Sequence, residues 1–245
     1  MPPKIGLKTV NIFYEKEDKI PFDTLEITTK DPDLGFNVKK LMKVKEHLKG
    51  KDLSMHSQAS RIFSCNNFNL EKFNEAEINV VKAEIILCNL LNIQELIIHL
   101  KQEKLTKKEE KPFSQLLNFA KKHNVELIYE SNKEFFGETC LDVLKKFPKL
   151  NYLLDLGHLN TAIGNKTLGF ELDEFLSLIK DRIIYIHAHN NNGKKDEHKS
   201  LDNGTLNWRH VFDMINMKKV RKIILELKTA QDILKSKKLL KQYFK

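Results

Sequence analysis

Cysteine is scarce in this chain of 245 residues. Cys65, Cys88 and Cys140 form an odd set with no Cys-x-x-Cys pair, which argues against a disulfide scaffold and against a cysteine-based metal site. Long apolar runs are missing too. The most apolar region, Ala83 to Leu100, is broken by Glu84, Asn89, Asn92 and Glu95, so no segment offers the ~18–20 uncharged residues that a bilayer span needs. The opening Met1-Pro2-Pro3-Lys4-Ile5-Gly6 holds no apolar signal core, and the expectation is a cytoplasmic protein without a membrane partner. No Gly-x-Gly-x-x-Gly or Gly-x-x-x-x-Gly-Lys-[Ser/Thr] loop follows a strand-like run, which counts against a doubly wound nucleotide-binding sheet.

What is present is a globular composition, 41% hydrophobic and 31% charged, enough for a large core. Lys and Arg number 42 against 33 Asp and Glu, a formal net charge of 42 − 33 = +9. A positive surplus attracts phosphate backbones. Here it is spread along the chain, in pairs such as Lys39-Lys40, Lys107-Lys108, Lys121-Lys122 and Lys237-Lys238. A lysine-rich solvated surface is the plainer and favoured account of it.

Short β-branched runs alternate with helix-period stretches from end to end. The strand candidates are Ile5–Asn11, Thr24–Thr28, Leu53–His56, Leu96–Leu100, Glu126–Glu130, Tyr152–Leu156, Ile183–His189 and Lys222–Leu227. The helix candidates are Val38–Leu48, Leu70–Leu91, Pro112–Lys122, Glu138–Phe147, Leu172–Lys180, Trp208–Asn216 and a last one from Ala230 to about Tyr243. Pro112 suits a first helical position, and Asp173 or Glu174 complements a helix dipole. Residues 12–23, with Pro21, form the weakest crossover. Eight strands alternating with helices at a repeat of roughly 30 residues, without a Gly/Pro/Ser-rich linker, predict a single α/β domain over residues 1–245, a (β/α)₈ TIM barrel.

In such a barrel chemistry sits at the C-terminal ends of the strands. Here those ends carry His56, His99, Glu130, Asp155 with His158, His187 with His189, and Glu226, and the loop after the seventh strand adds Asp196-Glu197-His198. One such residue is usually a hydrogen-bonded histidine or a helix cap. Six strands ending this way are harder to dismiss, because burying the imidazoles and carboxylates together is very costly without a compensating charge. Divalent cations supply that charge, and His with carboxylate is the ligand chemistry of zinc, manganese or iron. His47, His123 and His210 fall within or beside helix candidates and serve as controls.

With these residues in hand, the sequence resembles the xylose isomerase-like TIM-barrel superfamily, which holds endonuclease IV (family 2 abasic-site endonucleases) and many sugar or sugar-phosphate isomerases and epimerases. The most specific pieces are Leu154-Asp155-Leu156-Gly157-His158, the stretch from His187-Ala188-His189 to Asp196-Glu197-His198, and Leu201-Asp202-Asn203-Gly204-Thr205-Leu206-Asn207-Trp208. Carried over residue by residue, the endonuclease IV pattern implies two or three divalent ions, with zinc expected and manganese or iron as alternatives. Glu130, Asp155, His187 and Glu226 would hold the deeply placed ion. His56 and His99 would hold a second, with Glu130 bridging, and His158, Asp196 and His198 a third. His189 falls where that family usually has Asn, so the resemblance makes it a residue behind the ligands or in contact with substrate.

The resemblance implies an anionic substrate, DNA or a sugar phosphate. In the nuclease reading the metals activate water and no protein nucleophile is needed. In the isomerase reading Glu130 and Glu226 are the catalytic pair that passes a proton through an enediolate. Ligand count favours an endonuclease IV-type phosphodiesterase acting on abasic or damaged DNA. Loop texture favours the isomerase or epimerase: the third signature reads Asp196-Glu197-His198 where the nucleases have Asp-Arg-His, and Ser57-Gln58-Ala59-Ser60-Arg61 lacks the aromatic residue those enzymes place there. A non-catalytic barrel that keeps its metals for stability is a third reading.

Overall fold

The computed structural model of the chain describes residues 1–9, 21–28, 38–57, 73–100, 104–131 and 136–245. Val10 and Asn11 of the first strand candidate, most of the crossover before Pro21, Gln58–Arg61, Cys65 and the start of the helix expected from Leu70 lie outside them. Eight parallel strands close into a barrel in sequence order. They are β1 (Lys4–Lys8), β2 (Thr24–Thr28), β3 (Leu53–His56), β4 (Glu95–His99), β5 (Glu126–Glu130), β6 (Asn151–Asp155), β7 (Ile183–Ala188) and β8 (Lys222–Leu225). Among the described residues the helices are α1 (Val38–His47), α2 (Glu75–Leu90), α3 (Lys107–Lys122), α4 (Gly137–Lys146), α5 (Leu156–Gly164), α6 (Leu172–Ile179), α7 (Trp208–Met214) and α8 (Ala230–Tyr243). The fold is thus the expected (β/α)₈ TIM barrel. Among the described residues no helix is long and apolar enough to cross a membrane.

Two helices correct the sequence reading. Helix α3 begins at Lys107, because the Glu109 carboxylate accepts from both the backbone N–H and the hydroxyl of Thr106, at 2.7 and 2.8 Å. This capping arrangement sets the start one turn ahead of Pro112, which lies inside the helix. Helix α5 has no counterpart among the helix candidates. The side chain of Asp155, the last residue of β6, accepts from the backbone N–H of His158 at 2.7 Å, so one residue ends a strand and caps a helix with no loop between.

By packing the chain divides into two compact units. The first comprises residues 1–7, 102–104 and 129–245. In it β6 pairs with β7, and β7 and β1 pair with β8, with Asp155 opposite His187 and His187 opposite Ile224. Alternation along β7 and β8 therefore brings His187 and the Glu226 that follows Leu225 to one face. Buried Phe136 just before α4, Cys140 and Val143 of α4, Phe175 and Ile179 of α6, and Val211 and Phe212 of α7 cover the strands. The Arg182 guanidinium donates to the carbonyls of Leu144, Phe147 and Leu150, satisfying the last turn of α4 and the chain beyond it.

The second unit comprises residues 8–101 and 105–128. In it β3 lies between β2 and β4, with Thr28 opposite His56 and His56 opposite Ile97. Its core is formed by Met55, Leu96 and Ile98 under Val81, Ile85 and Cys88 of α2, and by Phe113, Leu116 and Ala120 of α3. Cys88 and Cys140 are both buried and unbridged, as the sparse cysteine content implied.

Replacing Arg182 by Ala leaves three backbone carbonyls without their charged donor. A hydrogen bond to a charged group contributes about 1.5–3 kcal/mol. The variant should therefore lose about 2–3 kcal/mol in urea unfolding, seen as a lower midpoint at unchanged slope.

Candidate metal centre

In the first unit the strand ends build two adjoining clusters. The deeper one centres on Nδ1 of His187, which lies 3.2 Å from Glu226 Oε2, 3.4 Å from Asp155 Oδ2 and 3.5 Å from Glu130 Oε1. Ligand atoms of one tetrahedral ion at zinc distances stand roughly 3.4 Å apart, and each of these three contacts has that spacing. Glu130, Asp155 and His187 are at most 2% exposed, while the Glu226 side chain is 23% exposed and is the member open to an incoming molecule.

The outer cluster forms around Asp196. Its Oδ2 lies 3.5 Å from His158 Nε2 and 3.4 Å from His198 Nε2. Both imidazoles are anchored through the opposite nitrogen: His158 Nδ1 lies 3.3 Å from the Ser131 carbonyl, and His198 Nδ1 lies 3.0 Å from the Glu226 carbonyl. Metal-bound histidines are commonly held this way, with one N–H donated to a carbonyl and the other nitrogen presented. The Ser131 hydroxyl is fixed in turn by Tyr152, 2.5 Å away. His198 itself has φ 57°, a left-handed conformation that non-glycine residues adopt at a cost and that clusters at functional sites.

His189 lies between the clusters, fully buried. Its Nε2 is 3.1 and 3.2 Å from the two Asp155 oxygens, and its ring stacks on His198 at 4.3 Å between centroids. It presents no surface to solvent. Gly157 makes room for it, since a Cβ there would collide with the His189 ring.

The loop carrying Asp196 and His198 is secured by asparagines that the sequence reading passed over. The Asn160 amide donates to the Asn191 backbone and side-chain oxygens, both at 2.8 Å, and Asn191 donates to the Gly157 carbonyl at 2.8 Å. Asn190 donates to the carbonyls of Leu201 and Leu206. The signal was available in the run Asn190-Asn191-Asn192-Gly193, in which the buried amides of Asn190 and Asn191 had to find partners.

In the second unit His56 and His99 face each other from neighbouring strands, ring centroids 5.2 Å apart. His56 Nδ1 lies 3.0 Å from the Ser57 carbonyl, and the Ser57 hydroxyl donates to the buried Glu84 carboxylate at 2.6 Å. This unit also holds a polar pair the sequence reading missed, Lys8 Nζ at 3.5 Å from the wholly buried Glu26. The charged residue inside Thr24-Leu25-Glu26-Ile27-Thr28 was its sign. The control histidines lie away from these clusters: His47 ends α1, His123 follows α3, and His210 on α7 meets Asp173 at 2.6 Å.

The residues of the first unit thus present nitrogen and carboxylate oxygen donors in groups of three that could hold a divalent ion: Glu130, Asp155 and His158; Asp155, His187 and Glu226; His189, Asp196 and His198. Two buried atoms, His189 Nδ1 and Asp196 Oδ1, have no hydrogen-bond partner among the described residues, which fits an ion between them.

The family model for the xylose isomerase-like TIM barrel matches residues 15–243, and the chain belongs to that family. An uncharacterised protein of Methanocaldococcus jannaschii, MJ1311, is 32% identical over 139 residues, 53% of this chain and 46% of the relative. The match spans about half the length of the curated relatives. A D-tagatose 3-epimerase-like protein superposes with TM-score 0.76 at 20% identity, covering 98% of this chain and 97% of the other. Endonuclease IV from Thermus thermophilus superposes at 0.66 with 14% identity, covering 99% of each. The IOLI protein, solved with a binding zinc atom, gives 0.67 at 15% identity, with 98% and 94% covered. At these identities the likenesses show a shared fold.

Burial alone would push the His158 imidazole below its ordinary value of 6.5, but the carboxylates of Asp155, Asp196 and Glu130 outweigh it and raise it to about 10. Burial likewise opposes ionisation of Asp155 and Asp196, yet the surrounding histidines hold both well below the usual carboxylate range. In the metal-free protein the raised His158 therefore stabilises the fold fully below pH 6.5 and loses that effect as pH rises through about 10. Calorimetry of metal-free protein should show Tm falling across that window. Adding zinc at pH 7.5 should release about one proton or more, since coordination requires neutral imidazole. Zinc uptake without acidification in a weakly buffered cell would contradict the assignment.

Proposed function

We propose that the chain is a divalent-metal-dependent phosphodiesterase that incises DNA at abasic or damaged sites, in the manner of endonuclease IV. The observation that carries this reading is the outer cluster, His158 and His198 anchored by backbone carbonyls and aimed at one oxygen of Asp196. A sugar isomerisation needs only the deep group. A second cluster beside it is what in-line displacement at phosphorus calls for, because attacking and leaving oxygens both need stabilisation.

Divalent ions bound at these groups would activate water and neutralise the charge that builds on phosphate and leaving oxygen. The chain's own contribution is position. Glu130, Asp155 and His187 are buried, and Glu226, partly exposed, can orient a water or accept its proton. His158 and His198 are held against rotation at their second nitrogens. His56 and His99 offer two further imidazoles for an additional ion. The formal charge of +9 favours an anionic substrate, and metal ions would neutralise the four acidic ligands and strengthen that preference.

A second reading, a sugar or sugar-phosphate isomerase or epimerase, is favoured by the two carboxylates Glu130 and Glu226 beside His187, an arrangement able to move a proton between adjacent carbons. One assay pair separates the two. Metal-loaded protein should incise an abasic-site duplex 5′ to the lesion, and chelator should abolish this. His198→Ala should reduce incision at least about 100-fold, more than the 10–100-fold typical of losing a residue behind a ligand. Metal-dependent epimerisation of a ketohexose, surviving in His198→Ala and without incision of DNA, would overturn the nuclease reading in favour of the second.

A further inference from the structure

Glu84 is a buried carboxylate that neither the resemblance nor the proposed reaction uses. It lies on the buried face of α2, whose other members, Ile78, Val81, Ile85 and Cys88, are apolar. A charged group is costly in such a place unless it is matched. Its carboxylate accepts from the Ser57 hydroxyl at 2.6 Å, a short charge-assisted hydrogen bond. Ser57 directly follows His56, the last residue of β3, and is tied at three points. Its backbone N–H donates to the Ile97 carbonyl of β4 at 2.8 Å, its hydroxyl donates to Glu84, and its carbonyl lies 3.0 Å from His56 Nδ1. The first two bonds fix the serine against β4 and α2, so the carbonyl that meets the imidazole is fixed as well. The outer torsion of a histidine side chain is intrinsically broad, and a partner at one nitrogen is what narrows it. Here that partner holds Nδ1 toward the backbone and turns Nε2 away from it.

We propose that Glu84 is a positioning residue: acting through Ser57, it sets the His56 imidazole so that Nε2 serves, with the His99 ring 5.2 Å away, as a ligand to one divalent ion. The proposal rests on the reading of His56 and His99 as holders of a further ion. The same construction recurs in the first unit, at the end of β5. Ser131 follows Glu130, its hydroxyl is fixed by Tyr152, and its carbonyl lies 3.3 Å from His158 Nδ1. In both places a serine one residue past a strand end links a buried polar side chain to an imidazole. At Glu84 the link gives the cost of a buried carboxylate a function, because the strong acceptor makes the serine's position stiff. Outer partners of this kind govern how well a ligand is presented without touching the ion themselves.

The test uses the full chain, stripped of metal and titrated with zinc against a chromophoric chelator, beside urea unfolding of the metal-free protein. His56→Ala should remove one bound zinc, which marks the position to follow. In Glu84→Leu and in Ser57→Ala the zinc affinity of that position should fall about 10–100-fold, the loss expected when the partner behind a ligand is removed. Glu84→Gln keeps an oxygen that accepts from the Ser57 hydroxyl and should restore affinity to within about threefold of wild type. A lower urea midpoint in Glu84→Leu with zinc affinity unchanged in both Glu84→Leu and Ser57→Ala would make Glu84 a packing residue and overturn the positioning role alone. Unchanged zinc binding in His56→Ala would overturn the reading of His56 as a ligand, and the proposal with it. Nitrogen NMR of zinc-loaded wild type needs no variant to fold: the His56 ring should carry hydrogen on Nδ1 and zinc on Nε2, and zinc on Nδ1 would overturn the proposal.

Discussion

Three carboxylates that meet on one buried imidazole constrain everything else in the site. Glu130, Asp155 and Glu226 each approach His187 Nδ1 within 3.5 Å, in a place where water can hardly reach the first two. Like charges so close repel strongly at low dielectric, and one protonated histidine balances only part of that charge. In the metal-free chain the neighbouring imidazoles supply counter-charge, which is why His158 is driven so far upward. Metal ions would replace those protons. Uptake of cations in exchange for protons is the chemistry proposed for this cluster.

The fold meets the constraint by making single residues serve twice. Asp155 ends β6, caps α5 and belongs to the deep cluster, and the helix it starts places His158 one turn away beside Asp196. Had a loop intervened, His158 would have had the freedom of a flexible segment instead of the orientation set by Asp155 and Ser131. The seventh strand acts similarly. His187 and His189 lie two residues apart, His187 at the deep cluster and His189 reaching from Asp155 to the outer one. The loop that follows is tied back by the amides of Asn160, Asn190 and Asn191 to α5 and to its own later turns. Rigid placement of this kind is what an active site needs if a displacement of an ångström costs rate.

Most of this arrangement is legible in residue order, because a barrel brings strand ends together and strand ends are visible as apolar runs closing in His, Asp or Glu. Periodicity bounds β2, β3 and β5 to the residue, and β4, β6, β7 and β8 within a residue or two. What periodicity cannot show is local hydrogen bonding. Helix α5 is hidden because Leu156-Gly157-His158 continues the apolar run of β6, and only the Asp155 cap marks the change. The start of α3 is masked by Pro112, a stronger signal in the sequence than the Thr106–Glu109 cap that outranks it. Resemblance alone leaves His189 near substrate; its burial and its two differently used nitrogens need three dimensions.

Everything proposed for this site turns on whether cations occupy the places where these side chains converge. Crystals of the full chain grown with zinc and manganese, measured with anomalous diffraction at each metal's edge, test this most directly. One peak is expected within about 2.0–2.3 Å of His187 Nδ1 and the Glu130, Asp155 and Glu226 carboxylates, and a second beside Asp196. Anomalous density absent from both places in crystals soaked at millimolar metal would contradict the metal-centred reading.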